Sequence, residues 1–320
     1  MEELRRGKKV TIIGAGSVGS TIAYTMAVNG IATEVVMIDI NEGKAMGEAL
    51  DIRQGVAFCP PISIYAGSYQ DAENSDIVIL TSGVARKPGQ SRLDLAQTNV
   101  NITKSIATQI VKYAPNAIYI IVANPVDILT YVFAKVSGLP EKQIIGSGTI
   151  LDTARLRARL AEYYNISQQN VHAYVFGEHG DTSFVPWSMG TISNIAIDRY
   201  GEALTNKDFI EPKLVHEEVE SYIRKSGGKI IQRKGATFYA VAVSVCHLCK
   251  CIFSGADTAL TVSTMMHGEY GIEDVALSTL TIVGPDGMAG KIIAPLTEEE
   301  TAKLHKSADA LKEVIAQIEI

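Results

Sequence analysis

Short apolar runs with no polar face constrain this 320-residue chain more than any other feature. They fall at residues 9–13, 34–40 (EVVMIDI), 63–65, 76–81 (DIVILT), 117–123 (AIYIIVA) and 143–145. Strands apolar at successive positions are buried on both sides, which suits a parallel sheet covered by helices. Helical patterns lie between most of the runs, for instance at 18–29 and 93–112. A doubly wound βαβ arrangement follows. The second half has a different rhythm. It contains a mixed-charge helix at 151–164, a strand-like piece at 171–176 and a polar helix near 213–226. An apolar helix at 237–253 and a charged amphipathic helix at 298–318 complete it. A chain of this length exceeds what one core usually serves. The expected organisation is α/β, with a parallel-sheet domain at 1–146 and an α+β domain at 147–320. No repeat or low-complexity tract interrupts either half.

The net charge of −6 leaves no basic excess to hold a phosphate backbone, so nucleic acid is not an expected partner. The start, MEELRRGKK, is polar and lacks the apolar stretch of a secretory signal. The longest nearly apolar run, 238–246, is about half of the ~20 residues that span a bilayer. A cytoplasmic protein with no membrane partner is the expectation. Of the four cysteines, Cys246, Cys249 and Cys251 share one stretch and Cys59 stands apart. Thiolates so spaced can share a zinc ion. No second ligand pair accompanies them, so a buried helix with cysteine as a small hydrophobe is expected, and no metal.

Gly14-Ala15-Gly16-Ser17-Val18-Gly19 follows the first strand and opens the first helix. In that setting a G-x-G-x-x-G carries a mechanism. Gly14 permits a tight turn, Gly16 lets the backbone approach a pyrophosphate, and Gly19 lets helix and strand close up. The amides of Ser17 and Val18 begin a helix whose dipole favours anions. Asp39 ends the second strand, where a carboxylate accepts ribose hydroxyls and repels a 2′-phosphate. Ile40 and Asn41 follow it, with no arginine to hold that phosphate. The pattern predicts a Rossmann domain that binds NAD rather than NADP.

The second half supplies acid–base chemistry. His179 stands in Gly177-Glu178-His179-Gly180-Asp181, directly after a strand-like run. An imidazole titrates near neutrality and can both give and take a proton. Asp152 and Arg155 are three apart on one helix face. The carboxylate can orient an imidazole and the guanidinium can grip a carboxylate bidentately, although an ordinary surface ion pair has the same spacing. Arg157 points to another face.

Those motifs, with Asn124-Pro125-Val126-Asp127 and Lys234-Gly235-Ala236-Thr237, resemble the lactate/malate dehydrogenase family, most of all bacterial L-lactate dehydrogenases. The resemblance covers residues 9–315. It implies a homotetramer or homodimer that moves a hydride between a small L-2-hydroxy acid and its 2-oxo acid. It implies that His179 is the proton donor and acceptor and that Asp152 holds it. Arg155 would clamp the substrate carboxylate, Arg92 polarise the reacting carbonyl once the 84–95 loop closes, and Asn124 bond that carbonyl and the cofactor amide. Thr237 would line the pocket. A non-catalytic NAD-binding protein on the same fold is the remote alternative, since fold does not fix function; the full set of His179, Asp152, Arg155 and Arg92 speaks against it.

One position bears on the substrate pair and two more on regulation. Lactate-type members carry glutamine where this chain has Arg86, and malate-type members carry arginine. A second substrate carboxylate would meet that guanidinium bidentately, whereas a methyl group would leave it buried and unpaired. Malate/oxaloacetate is therefore the expected pair, with L-lactate/pyruvate as the alternative. Arg157 matches one residue of the anion site in bisphosphate-activated members, but Met189 stands where a histidine is expected. Such activation is not anticipated.

Overall fold

The computed structural model describes residues 7–84, 92–205 and 214–320. In the first half, β1 (Lys9–Ile13), α1 (Ser17–Asn29), β2 (Glu34–Ile38), α2 (Glu42–Gly55), β3 (Ser63–Ala66) and β4 (Ile77–Leu80) come first. They are followed by α3 (Arg92–Ile110), β5 (Ile118–Ile121), α4 (Val126–Ser137) and β6 (Ile144–Gly146). The second half begins with α5 (Ile150–Tyr164), β7 (Val171–His172), β8 (Thr191–Ile192), β9 (Ile195–Ala196) and α6 (Ile197–Ala203). Then come α7 (His216–Lys234), α8 (Tyr239–Phe253), β10 (Thr258–His267), β11 (Glu273–Gly284), β12 (Gly287–Lys291) and α9 (Glu298–Ile315).

The apolar runs pair in parallel in the order β3-β2-β1-β4-β5-β6. Ile12, Val36, Ile79 and Ile120 are fully buried, as strands covered on both faces require. Strand order turns back between β1 and β4, and the carboxyl ends of the strands at such a reversal are where open α/β sheets bind their ligands. Gly14 follows β1, Thr81 follows β4, and Asn124 lies just past β5, so the glycine turn and Asn124 come to the same edge.

The second half departs from the expected pattern in three places. Residues 258–291, to which no sequence pattern assigned an element, form the antiparallel β10–β11–β12 meander. It joins the parallel sheet at Ser263↔Gly146 and extends it to nine strands. Thr261, Ser263, Thr264, Ser278, Thr279 and Thr281 are all buried in these strands, and their hydroxyls conceal the apolar signal. The strand expected at 171–176 pairs as a ladder only at β7. Beyond it side chains of α5 and its N-cap Thr149 hold the backbone: Arg157 Nε donates to Ala173 O, Val175 N donates to Thr153 Oγ1, and Thr149 Oγ1 donates to Val175 O. The polar helix near 213–226 is α7, which runs on through Gly227 and Gly228 to Lys234.

Among the described residues, no helix is long and apolar enough to cross a membrane. Cys246, Cys249 and Cys251 are buried in α8, and burial pushes the Cys246 thiol up to about 12. Among the described residues, no cluster of three or more candidate metal ligands forms.

Candidate active site

The glycine turn serves two separate ends. Gly14 has φ +110°, and a Cβ there would lie 2.6 Å from Thr81 Oγ1 and 2.8 Å from Ser82 N. A Cβ on Gly19 would lie 1.8 Å from Gly14 O, so α1 packs on the turn only with hydrogen at that position. Gly16 is different: a Cβ there would meet nothing within 4 Å. No packing contact among the described residues requires glycine there. Gly16 caps α1, so Ser17 and Val18 offer the amides of a helix N-terminus to that open side. Asp39 accepts from Ala15 N at 2.7 Å and from Asn41 N at 2.9 Å, which ties the end of β2 to the turn. A carboxylate has about four acceptor sites, so capacity remains for sugar hydroxyls. An open cradle, a helix N-terminus and an acid beside it fit a dinucleotide.

Asn124 is exposed beyond β5, and its backbone is fixed by a residue the sequence did not single out. Buried Asn99 of α3 donates to Asn124 O at 2.7 Å and accepts from Val84 N at 2.9 Å. One side chain thus ties the ends of β4 and β5 together. Arg86 lies outside the described residues. Arg92 opens α3, and its side chain also lies outside them.

His179 Nδ1 lies 2.5 Å from Asp152 Oδ2, and Arg155 Nη1 donates to Asp152 Oδ1 at 2.9 Å. The Asp152 side chain is 6 % exposed and that of Arg155 14 %, so this is no surface ion pair. Asp152 faces two opposing forces. Burial pushes its carboxyl up, but the charges and hydrogen bonds of His179 and Arg155 outweigh this and hold it below the ordinary range. The Asp152 charge in turn raises the His179 imidazole, against burial and the Arg155 guanidinium, with Asp127 adding to the rise. An ionised Asp152 keeps the proton on Nδ1. Nε2, on a side chain one-quarter exposed, is left to give and take.

The loop around His179 is anchored residue by residue. Gly177, at φ +94°, pairs with Ser278 of β11. Glu178 N donates to Ser307 Oγ of α9 at 2.7 Å, and His179 N donates to Asp127 Oδ2 of α4 at 2.7 Å. Glu178 Oε1 accepts from Thr182 N and Oγ1, closing the turn. Thr237 is half-buried in the link between α7 and α8. Arg157 faces away from the Asp152 cluster: besides bonding Ala173 O it lies over the Tyr174 ring, 5.1 Å from its centroid. Met189, in the 187–189 turn, packs against the core that contains Phe176, Phe184 and Leu304.

Residues 8–146 match the family described as lactate/malate dehydrogenase, NAD binding domain, and residues 149–319 match its alpha/beta C-terminal domain. The chain belongs to the lactate/malate dehydrogenase family. It is an NAD-dependent 2-hydroxy acid dehydrogenase, with the Rossmann domain and C-terminal α/β domain of that family. The chain is similar to L-lactate dehydrogenases from a Thermoanaerobacter species (46 % identical over 316 residues, covering 98 % of this chain and 99 % of the relative) and from Acetivibrio thermocellus (44 %, covering 98 % of each). Among solved structures it resembles a minor L-lactate dehydrogenase from Enterococcus mundtii, with a TM-score of 0.92, 38 % identity and coverage of 98 % and 99 %.

In a dehydrogenase of this family, the residues that sequence reasoning passed over are supports rather than reactants. Asp127 entered only as part of a motif, and Asn99 and Ser307 not at all. Asp127 did leave a signal, as a lone carboxylate at the head of an otherwise apolar helix, VDILTYVF. Ser307 left none, since a serine on a charged terminal helix reads as solvated.

Proposed function

We propose that this enzyme interconverts L-lactate and pyruvate, with His179 as its acid–base group. The buried Asp152 shared between His179 and Arg155 carries the chemical part of this reading. It keeps an imidazolium and a guanidinium within one small cluster, ready for a substrate that carries both a carbonyl and a carboxylate. Reduction places negative charge on the carbonyl oxygen, and His179 Nε2 donates the proton there. Arg155 holds the C1 carboxylate through the donors that Asp152 does not use. Asn124, on the rim, bonds the carbonyl, and Arg92 adds positive charge beside it. Thr237 stands at the wall of the substrate pocket. NAD, held by Gly14, Gly16, Ser17, Val18, Gly19 and Asp39, supplies or accepts the hydride. Substrate chemistry would then draw on both halves, with 1–146 binding the cofactor and 147–320 presenting the acid–base group.

Support for lactate comes from the relatives, which are named L-lactate dehydrogenases. The malate expectation drawn from Arg86 gains no support from them. Arg86 remains the one observation in favour of L-malate/oxaloacetate as a second reading, because a guanidinium there suits a second carboxylate. Steady-state kinetics with the two oxo acids separates them. A kcat/KM favouring pyruvate by about tenfold or more fits the lactate reading, and the same margin for oxaloacetate overturns it. Under the second reading Arg86→Gln shifts the ratio toward pyruvate. We place the enzyme in the cytoplasm as a homotetramer or homodimer. Exposed Tyr24, Val28, Tyr239 and Val243 on the mutually packed α1 and α8 are consistent with a covered face, and light scattering on the purified protein tests it.

A further inference from the structure

Asp127 stands outside the His179–Asp152–Arg155 cluster, on the other half of the chain. It lies in the first turn of α4, is 3 % exposed, and projects its carboxylate at the backbone of the catalytic loop. Oδ2 accepts the His179 N–H at 2.7 Å. Oδ1 is buried without a hydrogen bond; the Ser263 hydroxyl is near enough to favour the ionised form, yet neither atom completes a bond to the other. A carboxylate is an expensive group to bury for one amide bond that asparagine could make as well. Its charge therefore calls for a function of its own.

We propose that Asp127 is a positioning residue for the proton chemistry at His179: its acceptor fixes the backbone of residue 179, and its charge supports the imidazolium from behind, alongside Asp152. The proposal rests on His179 being the acid–base group.

The surroundings agree with this assignment. Among the described residues, the charged groups that act on the His179 imidazole are Asp152 and Asp127, which favour its charged form, and Arg155, which opposes it. Asp127 in turn is acted on by burial, which pushes its carboxyl up to about 6. The Ser263 hydroxyl, the His179 amide and the His179 charge draw it down, and Glu178 opposes them. At neutral pH Asp127 is therefore mostly ionised, and the start of α4 favours that charge. Asp152 sets the ring; Asp127 sets the peptide that carries the ring. The loop's other anchors, Ser278 at Gly177 and Ser307 at Glu178, are neutral. Asp127 alone among these three anchors can act at a distance on the imidazole.

The test uses full-length Asp127→Asn and Asp127→Ala. Asparagine keeps an acceptor for the His179 amide and removes the charge, placing its NH2 group where Oδ1 makes no hydrogen bond. Asp127→Asn should bind NADH within about twofold of wild type, by fluorescence titration. Its alkaline limb of kcat/KM for oxo-acid reduction should move to lower pH, giving a loss of roughly three- to tenfold at the alkaline end and little at the acid end. Asp127→Ala should add a loss of kcat at every pH, because the loop amide is freed. The same drop should appear as an earlier titration of the His179 ring in NMR spectra, with His179→Gln identifying the signal. A wild-type limb and a wild-type His179 titration in Asp127→Asn would overturn the proposal. Should wild type reduce neither pyruvate nor oxaloacetate, the functional reading fails instead, and the NMR titration still decides the role of Asp127.

Discussion

Asp152→Asn is the sharpest test of the site. Asparagine has nearly the same shape but carries no charge, and its single acceptor oxygen cannot serve both His179 Nδ1 and Arg155 Nη1, so one of the two hydrogen bonds goes with the charge. Asp152 is 4 % exposed, so water offers little compensation. Breaking a buried, hydrogen-bonded charge pair costs about 3–5 kcal/mol. If that loss falls on the step in which the imidazole changes charge, kcat/KM drops by roughly a hundred- to several-thousand-fold, at about 1.4 kcal/mol per decade. The loss also has a sign in pH. Asp152 is the main cause that raises His179, so without it the ring loses its proton at lower pH. Oxo-acid reduction needs the protonated ring, and the deficit should therefore widen as pH rises. Steady-state NADH oxidation between about pH 5.5 and 9.5 measures both, and fluorescence titration should find NADH affinity within about twofold of wild type. A loss below tenfold, with the alkaline limb unmoved, would refute the role of Asp152.

Three further outcomes follow from the geometry. Gly16→Ala should leave thermal stability unchanged yet weaken NADH binding, whereas Gly19→Ala should lower both, by about 1–3 kcal/mol in stability, since its Cβ meets Gly14 O at 1.8 Å; equal melting temperatures for the two variants would contradict this. Asn99→Ala strands the Asn124 carbonyl and the Val84 amide and should destabilise the fold by about 1–3 kcal/mol in urea titration while raising KM for the oxo acid. Asp127 has a folded-state pKa raised from 3.8 to about 6, so the stability it contributes is present below about 3.8 and lost as pH rises through about 6. Asp127→Asn should accordingly gain on wild type across that window, by at most about 3 kcal/mol, and hold a constant margin above it; a margin independent of pH would contradict the raised folded-state value.

The sequence was most informative where one physical demand acted alone. Ile- and Val-rich runs such as IVIL and IYII can only be strands buried on both faces, and Gly14 to Gly19 can only be a turn against something close. It was least informative where demands mixed. The β10 and β11 strands bury six serines and threonines, so their polarity argued for surface while their positions are core. Residues 173–175 satisfy their backbone with Thr153 and Arg157 of α5 and with its N-cap Thr149, an exchange between segments that no local pattern records. His179, Asp152 and Arg155 were legible as residue types, but the spacing of Asp152 and Arg155 fits a solvated ion pair equally well. Only the packing of α5 against the 177–183 loop distinguishes the two. Asp127 acts across 52 residues of sequence, on a backbone amide rather than a side chain, and so leaves no spacing to read.

The nine-stranded sheet carries a consequence for how such a chain can be divided. Between residues 146 and 149 the two family segments meet, and a cut there looks natural. It would strip β6 of its neighbour β10 and leave each half with a raw sheet edge, the usual start of aggregation. It would also leave Asp127 on one fragment and His179 on the other. The two family segments therefore share one sheet, joined through backbone pairing of β6 with β10, and neither is expected to fold without the other.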